Sequence, residues 1–154
     1  MAALTTDRPV MHIGVEPYGF RALTPSTGSF YFGQLVLQST DSTTHPYATG
    51  SLAATGVIAG ICQHGAVTVS ATSPLPEGLL SIRYGTFDFA NSTVSPIVSG
   101  TLMNTLVFAE DDHTVCLTNI SSSMSPAGRL RGFISGSSYP CLVEVGLIAS
   151  GSTV

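Results

Sequence analysis

Between Leu79 and Leu117 the chain reads LLSIRYGTFDFANSTVSPIVSGTLMNTLVFAEDDHTVCL, and its apolar positions carry the clearest pattern in the sequence. Leu80, Ile82 and Tyr84 alternate with Ser81 and Arg83, the period of two that predicts a strand with one buried face. At Gly85 the phase slips, because Phe87 and Phe89 continue the pattern one residue out of step. A glycine at a phase slip predicts a β-bulge. Asn91 and Ser92 then mark a turn, and Pro96 and Gly100 an irregular crossover. Beyond it, Leu106 to Phe108 and Thr114 to Leu117 flank Glu110-Asp111-Asp112-His113, which predicts a hairpin around a solvated acidic turn. No helix is needed to account for this stretch.

Upstream, Phe30 to Leu37 (FYFGQLVL) is apolar on nearly both faces and predicts a first, central strand. Ser39 to Ser51 reads as a polar loop holding His45 and Pro46, and Gly56 to Cys62 as a short buried run. Gln63-His64-Gly65 turns into Ala66 to Thr72, with Val67, Val69 and Ala71 expected inward. The closing pair alternates at Leu130, Gly132 and Ile134 and again at Val143, Val145 and Leu147, with Arg131 placed to face Glu144. About eight short strands divided by Gly, Pro and Ser turns predict an all-β fold, a small β-barrel or compact sandwich, over residues 29–154.

Residues 1–28 differ in kind. Pro9, Pro17, Pro25, Gly14, Gly19 and Gly28 interrupt them without sustained periodicity, predicting an extended N-terminal arm. Within it Val10, Met11, His12, Ile13, Val15, Tyr18 and Phe20 are too apolar for a solvated tail. Val10 to Val15 suits an edge strand, a template for pairing with another chain. These seven are the candidate residues for contacts with a partner subunit.

Composition supports a protein that works among other subunits. Charged residues make up 9% of the 154 and lysine is absent, against about a quarter charged in ordinary soluble domains. No run of about 18 apolar residues is present, so no helical membrane span is expected. So apolar a chain is expected to hide much of its surface against other copies or partners, the alternative being a small β domain with many Ser and Thr in place of charges. A formal net charge of −4 argues against nucleic acid, since there is no basic patch to neutralise phosphates. The start, MAALTTDRPV, lacks the basic region and apolar core of a signal peptide, which predicts a protein made in the cytoplasm and not exported by that route. Cys62, Cys116 and Cys141 are odd in number and lack CxxC spacing, which predicts reduced thiols packed as small hydrophobes.

Candidate chemistry is sparse. The acidic run at 110–113 is too short to wrap a calcium or magnesium ion, which needs about six converging oxygens. Cys62 and His64 have zinc-ligand spacing, but no second pair completes a site. There is no GxSxG elbow, HExxH or glycine-rich phosphate loop, and the Ser121-Ser122 and Ser137-Ser138 pairs read as loop polarity. No catalytic residue, metal, cofactor or small-molecule substrate is expected.

Several short motifs carry a resemblance. They are Met1-Ala2-Ala3-Leu4-Thr5 with Asp7-Arg8, Gly85-x-Phe87-x-Phe89-Ala90-Asn91-Ser92, Leu106-Val107-Phe108 before Asp111-Asp112-His113-Thr114-Val115, and Ser125-x-Ala127-Gly128. In this order they resemble the head decoration, or cement, proteins of tailed bacteriophages, a family with the role of the phage lambda head decoration protein. The resemblance implies a non-enzymatic structural protein of the virion, made in the host cytoplasm and bound to the outer surface of the capsid. It implies the major capsid protein and further copies of itself, as a homotrimer, as partners. The alternative is a trimeric fibre or tail-tip head domain binding host-surface glycans, which would share the low charge and the β pattern.

Overall fold

The computed structural model describes residues 4–8, 19–75 and 78–146 and is all-β apart from one short helix. Its axis is β7 (Leu80–Asn91), 12 residues long and the longest strand described. The second half of β7 closes a five-stranded barrel with β11 (Cys141–Val145), β10 (Pro126–Phe133), β8 (Leu106–Ala109) and β9 (Thr114–Cys116). β8 and β9 form the expected hairpin, with Phe108 opposite Cys116. β9 returns parallel to β7, pairing Ala90 with Thr114 and Asn91 with Val115, and this pairing shuts the ring. The whole connection from β7 to β9, the 92–105 loop followed by β8, permits it, because a parallel neighbour cannot be reached by a tight turn.

The first half of β7 belongs to a second layer. β1 (Gly19–Leu23) runs antiparallel along it from Gly19 opposite Tyr84 to Leu23 opposite Leu80. On its other side lies β5 (Val57–Cys62), followed by β3 (Leu35–Gln38) and β4 (Thr44–Pro46). β2 (Gly28–Phe30) and β6 (Val67–Val69) form a separate two-stranded sheet, and the helix α1 spans Ser51–Thr55.

Two cores result, and β7 serves both. Leu80 and Ile82 pack with Phe30, Val36, Ala59, Cys62, Val69 and Leu75. Phe87 and Phe89 fill the barrel with Leu37, Ile61, Val107, Leu130 and Val143. This corrects the bulge expected at Gly85. Pairing with β1 ends at Tyr84, pairing with β11 begins at Gly85, and neither register slips. The phase changes because the buried face changes, as the strand leaves one core for the other. Gly85 makes the passage at a φ of 142° that side chains rarely adopt. Register shifts fall elsewhere, on β5 between the partners of Val36 and Leu37, and on β10 between Leu130 and Gly132.

Other expectations are also revised. FYFGQLVL is not one strand: Phe30 ends β2, Gly33 turns at a φ of 83° with Gln34 N donating to Tyr31 O, and β3 starts at Leu35. The apolar density of β3 is nonetheless central, with Leu35 and Leu37 in the barrel core and Val36 in the other. The 39–51 loop contains β4 and leads straight into α1, and Ala71 is exposed where an inward position was expected. Chain before Phe30 contributes β1 to the large sheet. Arg131 does face Glu144, through two hydrogen bonds of 3.0 Å. Leu147 lies outside the described residues.

All three cysteines are buried and free. Burial pushes the Cys62 and Cys116 thiols up to about 11 and Cys141 to about 12, and it raises the Tyr47 hydroxyl to about 12. Groups whose folded pKa is raised contribute stability that is complete below the unfolded pKa and is lost as pH climbs to the folded one. The melting temperature is therefore expected to fall from about pH 9 towards 12. A thiol reagent at neutral pH is expected to label none of the three cysteines until denaturant is added. Rapid labelling of the native protein would contradict the buried placement.

Candidate interaction surface

The acidic turn between β8 and β9 is not solvated as the sequence suggests. Asp112 is fully buried and Asp111 nearly so. Asp112 Oδ1 accepts from Leu4 N at 3.1 Å and lies 2.8 Å from His113 Nδ1. Its Oδ2 accepts from Gln34 Nε2 at 2.7 Å and from Leu4 N at 3.0 Å. The turn at Tyr31–Gln34 and the hairpin are further joined by Leu35 N donating to Asp112 O at 2.7 Å. A carboxylate can be buried on these terms because donors replace the water it loses.

Residues 4–8 form the other half of this contact. Arg8 is 3% exposed and reaches across the barrel wall. Its Nε donates to Gly33 O at 3.2 Å, its Nη2 to Asp88 O at 3.0 Å, and its Nη1 lies 3.7 Å from Asp88 Oδ1. The guanidinium also stacks over Phe89 and Tyr139, at 5.3 and 5.0 Å from the ring centroids. Burial lowers its pKa, and Asp88 opposes that effect. Asp7 accepts from Phe32 N at 2.8 Å and Ala66 N at 3.2 Å. Within the expected arm, then, Leu4 to Arg8 are fastened to the β domain.

Asp111, Asp112 and His113 lie close enough to hold a cation. The donors around Asp112 decide against that reading, since an amide N–H and an amide NH2 already face both of its oxygens. Cys62 and His64 meet only through a 3.6 Å contact from Cys62 Sγ to the His64 carbonyl, which is not ligand geometry. One hydroxyl–imidazole pair does form, with Thr43 Oγ1 2.9 Å from His45 Nε2. Asp41 bonds the hydroxyls of Ser39 and Thr43, which hold its carboxyl well below the usual range. In a catalytic triad the carboxylate would orient the imidazole instead. The arrangement caps a turn.

Of the seven candidate contact residues, Phe20 is described; Val10, Met11, His12, Ile13, Val15 and Tyr18 lie outside the described residues. Phe20 is 62% exposed on β1, whose partner among the described residues is β7, and Arg83 lies 5.6 Å from its ring centroid. Sequence reasoning missed a second exposed apolar group, Val94, Val98, Leu102 and Met103, in the loop from β7 to β8. A signal was present, for no charged residue occurs from Ser92 to Ala109 although Pro96 and Gly100 mark the stretch as a loop.

No protein-family model matches the chain, and no curated protein matches its sequence. Among solved structures, the fold is similar to a chain of the one described as "The capsid of Myoviridae Phage XM1", with a TM-score of 0.57 and 13% identity. The likeness covers 94% of this chain and 93% of that one.

The buried and exposed ion pairs are expected to separate sharply in a stability measurement. Arg8→Ala removes the cation from a buried pair and strips donors from two carbonyls, and is expected to cost about 3–5 kcal/mol in chemical denaturation. Arg131→Ala, in a pair where Arg131 is 40% exposed, is expected to cost about 1 kcal/mol or less. Equal small losses would mean that residues 4–8 are not fastened as described.

Proposed function

We propose that this protein is a structural component of a phage virion that binds the outer surface of the assembled head and stabilises the capsid lattice, as a cement or decoration protein. The observation that carries the proposal is the fold likeness to a chain of a phage capsid over nearly the full length of both. The motifs quoted above and the low charge point the same way.

The mechanism is thermodynamic. A protein that binds the assembled lattice and not its dissociated subunits stabilises the lattice by mass action. Val10, Met11, His12, Ile13, Val15, Tyr18 and Phe20 make the contact with the major capsid protein in this proposal. The outer edge of β1, with Phe20 exposed beside it, suits addition of a strand from that partner. Assembly as a homotrimer multiplies modest contacts into avidity. The fibre-tip alternative predicts glycan binding instead.

The test is co-sedimentation with undecorated heads. The full-length protein is expected to pellet with heads to saturation and to raise their melting temperature. Serine at Val10, Met11, Ile13 and Val15 together leaves Arg8 in place and is expected to weaken head binding by at least about tenfold, or 1.4 kcal/mol. A folded protein that ignores heads and binds a glycan array would overturn the proposal in favour of the alternative.

A further inference from the structure

The loop joining β7 to β8 is a built platform. Asn91 clamps Ile97 from both sides, its Nδ2 donating to Ile97 O at 2.7 Å and its Oδ1 accepting from Ile97 N at 2.9 Å. Ile97 itself is buried in the barrel core. Ser92 Oγ accepts from Val94 N and Ser95 N at 3.0 Å each, and Thr101 Oγ1 accepts from Val98 N at 3.2 Å. At the far end Asn104 N donates to Leu130 O at 2.7 Å, and Arg131 Nη1 reaches Asn104 Oδ1 at 3.3 Å.

From this fixed frame the apolar side chains point into solvent. Leu102 is 79% exposed, Val94 69%, Val98 56% and Met103 51%. Ser95 links the loop to the segment after β9, through Leu117 N donating to Ser95 O at 2.9 Å and a 2.8 Å Ser95–Thr118 hydroxyl contact. Two residues further on, Ile120 is exposed as well. A soluble monomer seldom shows a larger apolar patch than a few hundred Å². A loop already held in one shape also loses little conformational entropy when it binds.

We propose that this loop is the face on which copies of the chain associate, with Val94, Val98, Leu102 and Met103 at its centre and Ile120 beside them. The inference rests on the reading above in that the protein acts as several copies on one capsid. Charge selects the partner. The exposed stretches that form the face, 93–105 and 117–123, carry no Asp, Glu, Lys or Arg. Set against its own copy, such a surface buries no unpaired charge, and interfaces between identical subunits are the more apolar class. At the rim Arg131 is paired with Glu144 and Arg129 donates to Asn104 O. The exposed apolar site at Phe20 differs, because Arg83, opposite it on β7, lies against its ring. That cationic setting suits a different partner.

Sedimentation velocity across a concentration series tests the inference, using wild type, V98D/L102D and F20D. Wild type and F20D are expected to associate, whereas V98D/L102D is expected to sediment as a monomer that keeps the wild-type circular dichroism spectrum and a cooperative melt. L102N, a smaller change at the most exposed position, is expected to weaken association by roughly tenfold. Two results would overturn the inference: a wild type that stays monomeric at its highest soluble concentration, or a folded V98D/L102D that associates normally, whether or not it still binds heads. Association that depends on Val98 and Leu102 in a protein that ignores heads would support it while defeating the capsid reading.

Discussion

Strand β7 has to lie in two cores at once. Its first residues bury Leu80 and Ile82 on one face, and its later residues bury Phe87 and Phe89 on the other. Each fully buried side chain of this size contributes about 1.5–3 kcal/mol, so neither half could turn its apolar face outward cheaply. The strand keeps continuous pairing through the change, with β1 up to Tyr84 and β11 from Gly85. Barrel and outer layer are therefore locked to each other through one backbone. A substitution that disturbs the crossover at Gly85 would act on both cores.

The second constraint is polar. Asp88, Asp112 and Arg8 are buried in a chain with 14 formally charged side chains in all, and they meet at the place where residues 4–8, the Gly33 turn and the β8–β9 hairpin converge. Buried charges of this kind contribute little net stability compared with apolar packing, but breaking one member of the set is expensive. Their effect is positional: Leu4 and Arg8 are held against the β domain by specific partners.

The exposed surface divides by charge. Phe20 stands beside Arg83 on a strand edge, whereas the 92–104 loop and the Thr118–Ile120 segment carry no charged residue and expose Val94, Val98, Leu102, Met103 and Ile120. The proposed role asks for two kinds of contact, one with the lattice and one with further copies of the chain. Two chemically distinct apolar sites meet that need without competing for the same partner.

Local pattern by itself determined the apolar runs that turn residues bound on either side. The β8–β9 hairpin, the buried run Val57–Cys62, the Arg131–Glu144 pair and the all-β class follow from alternation, turn residues and cross-strand distance, all short-range properties of the chain. Only the tertiary structure decided the features that depend on distant partners. The slip at Gly85 looks like a bulge until two cores are known to lie on opposite faces of β7. Glu110 to His113 reads as a solvated turn because nothing within it announces that Leu4 and Gln34, 108 and 78 residues away from Asp112, will supply its hydrogen bonds. Gly33 breaks an apolar run because Arg8 and the barrel need a turn there. The exposed loop was visible only as an absence of charge, since an apolar residue declares its type in the sequence and its burial only in the fold.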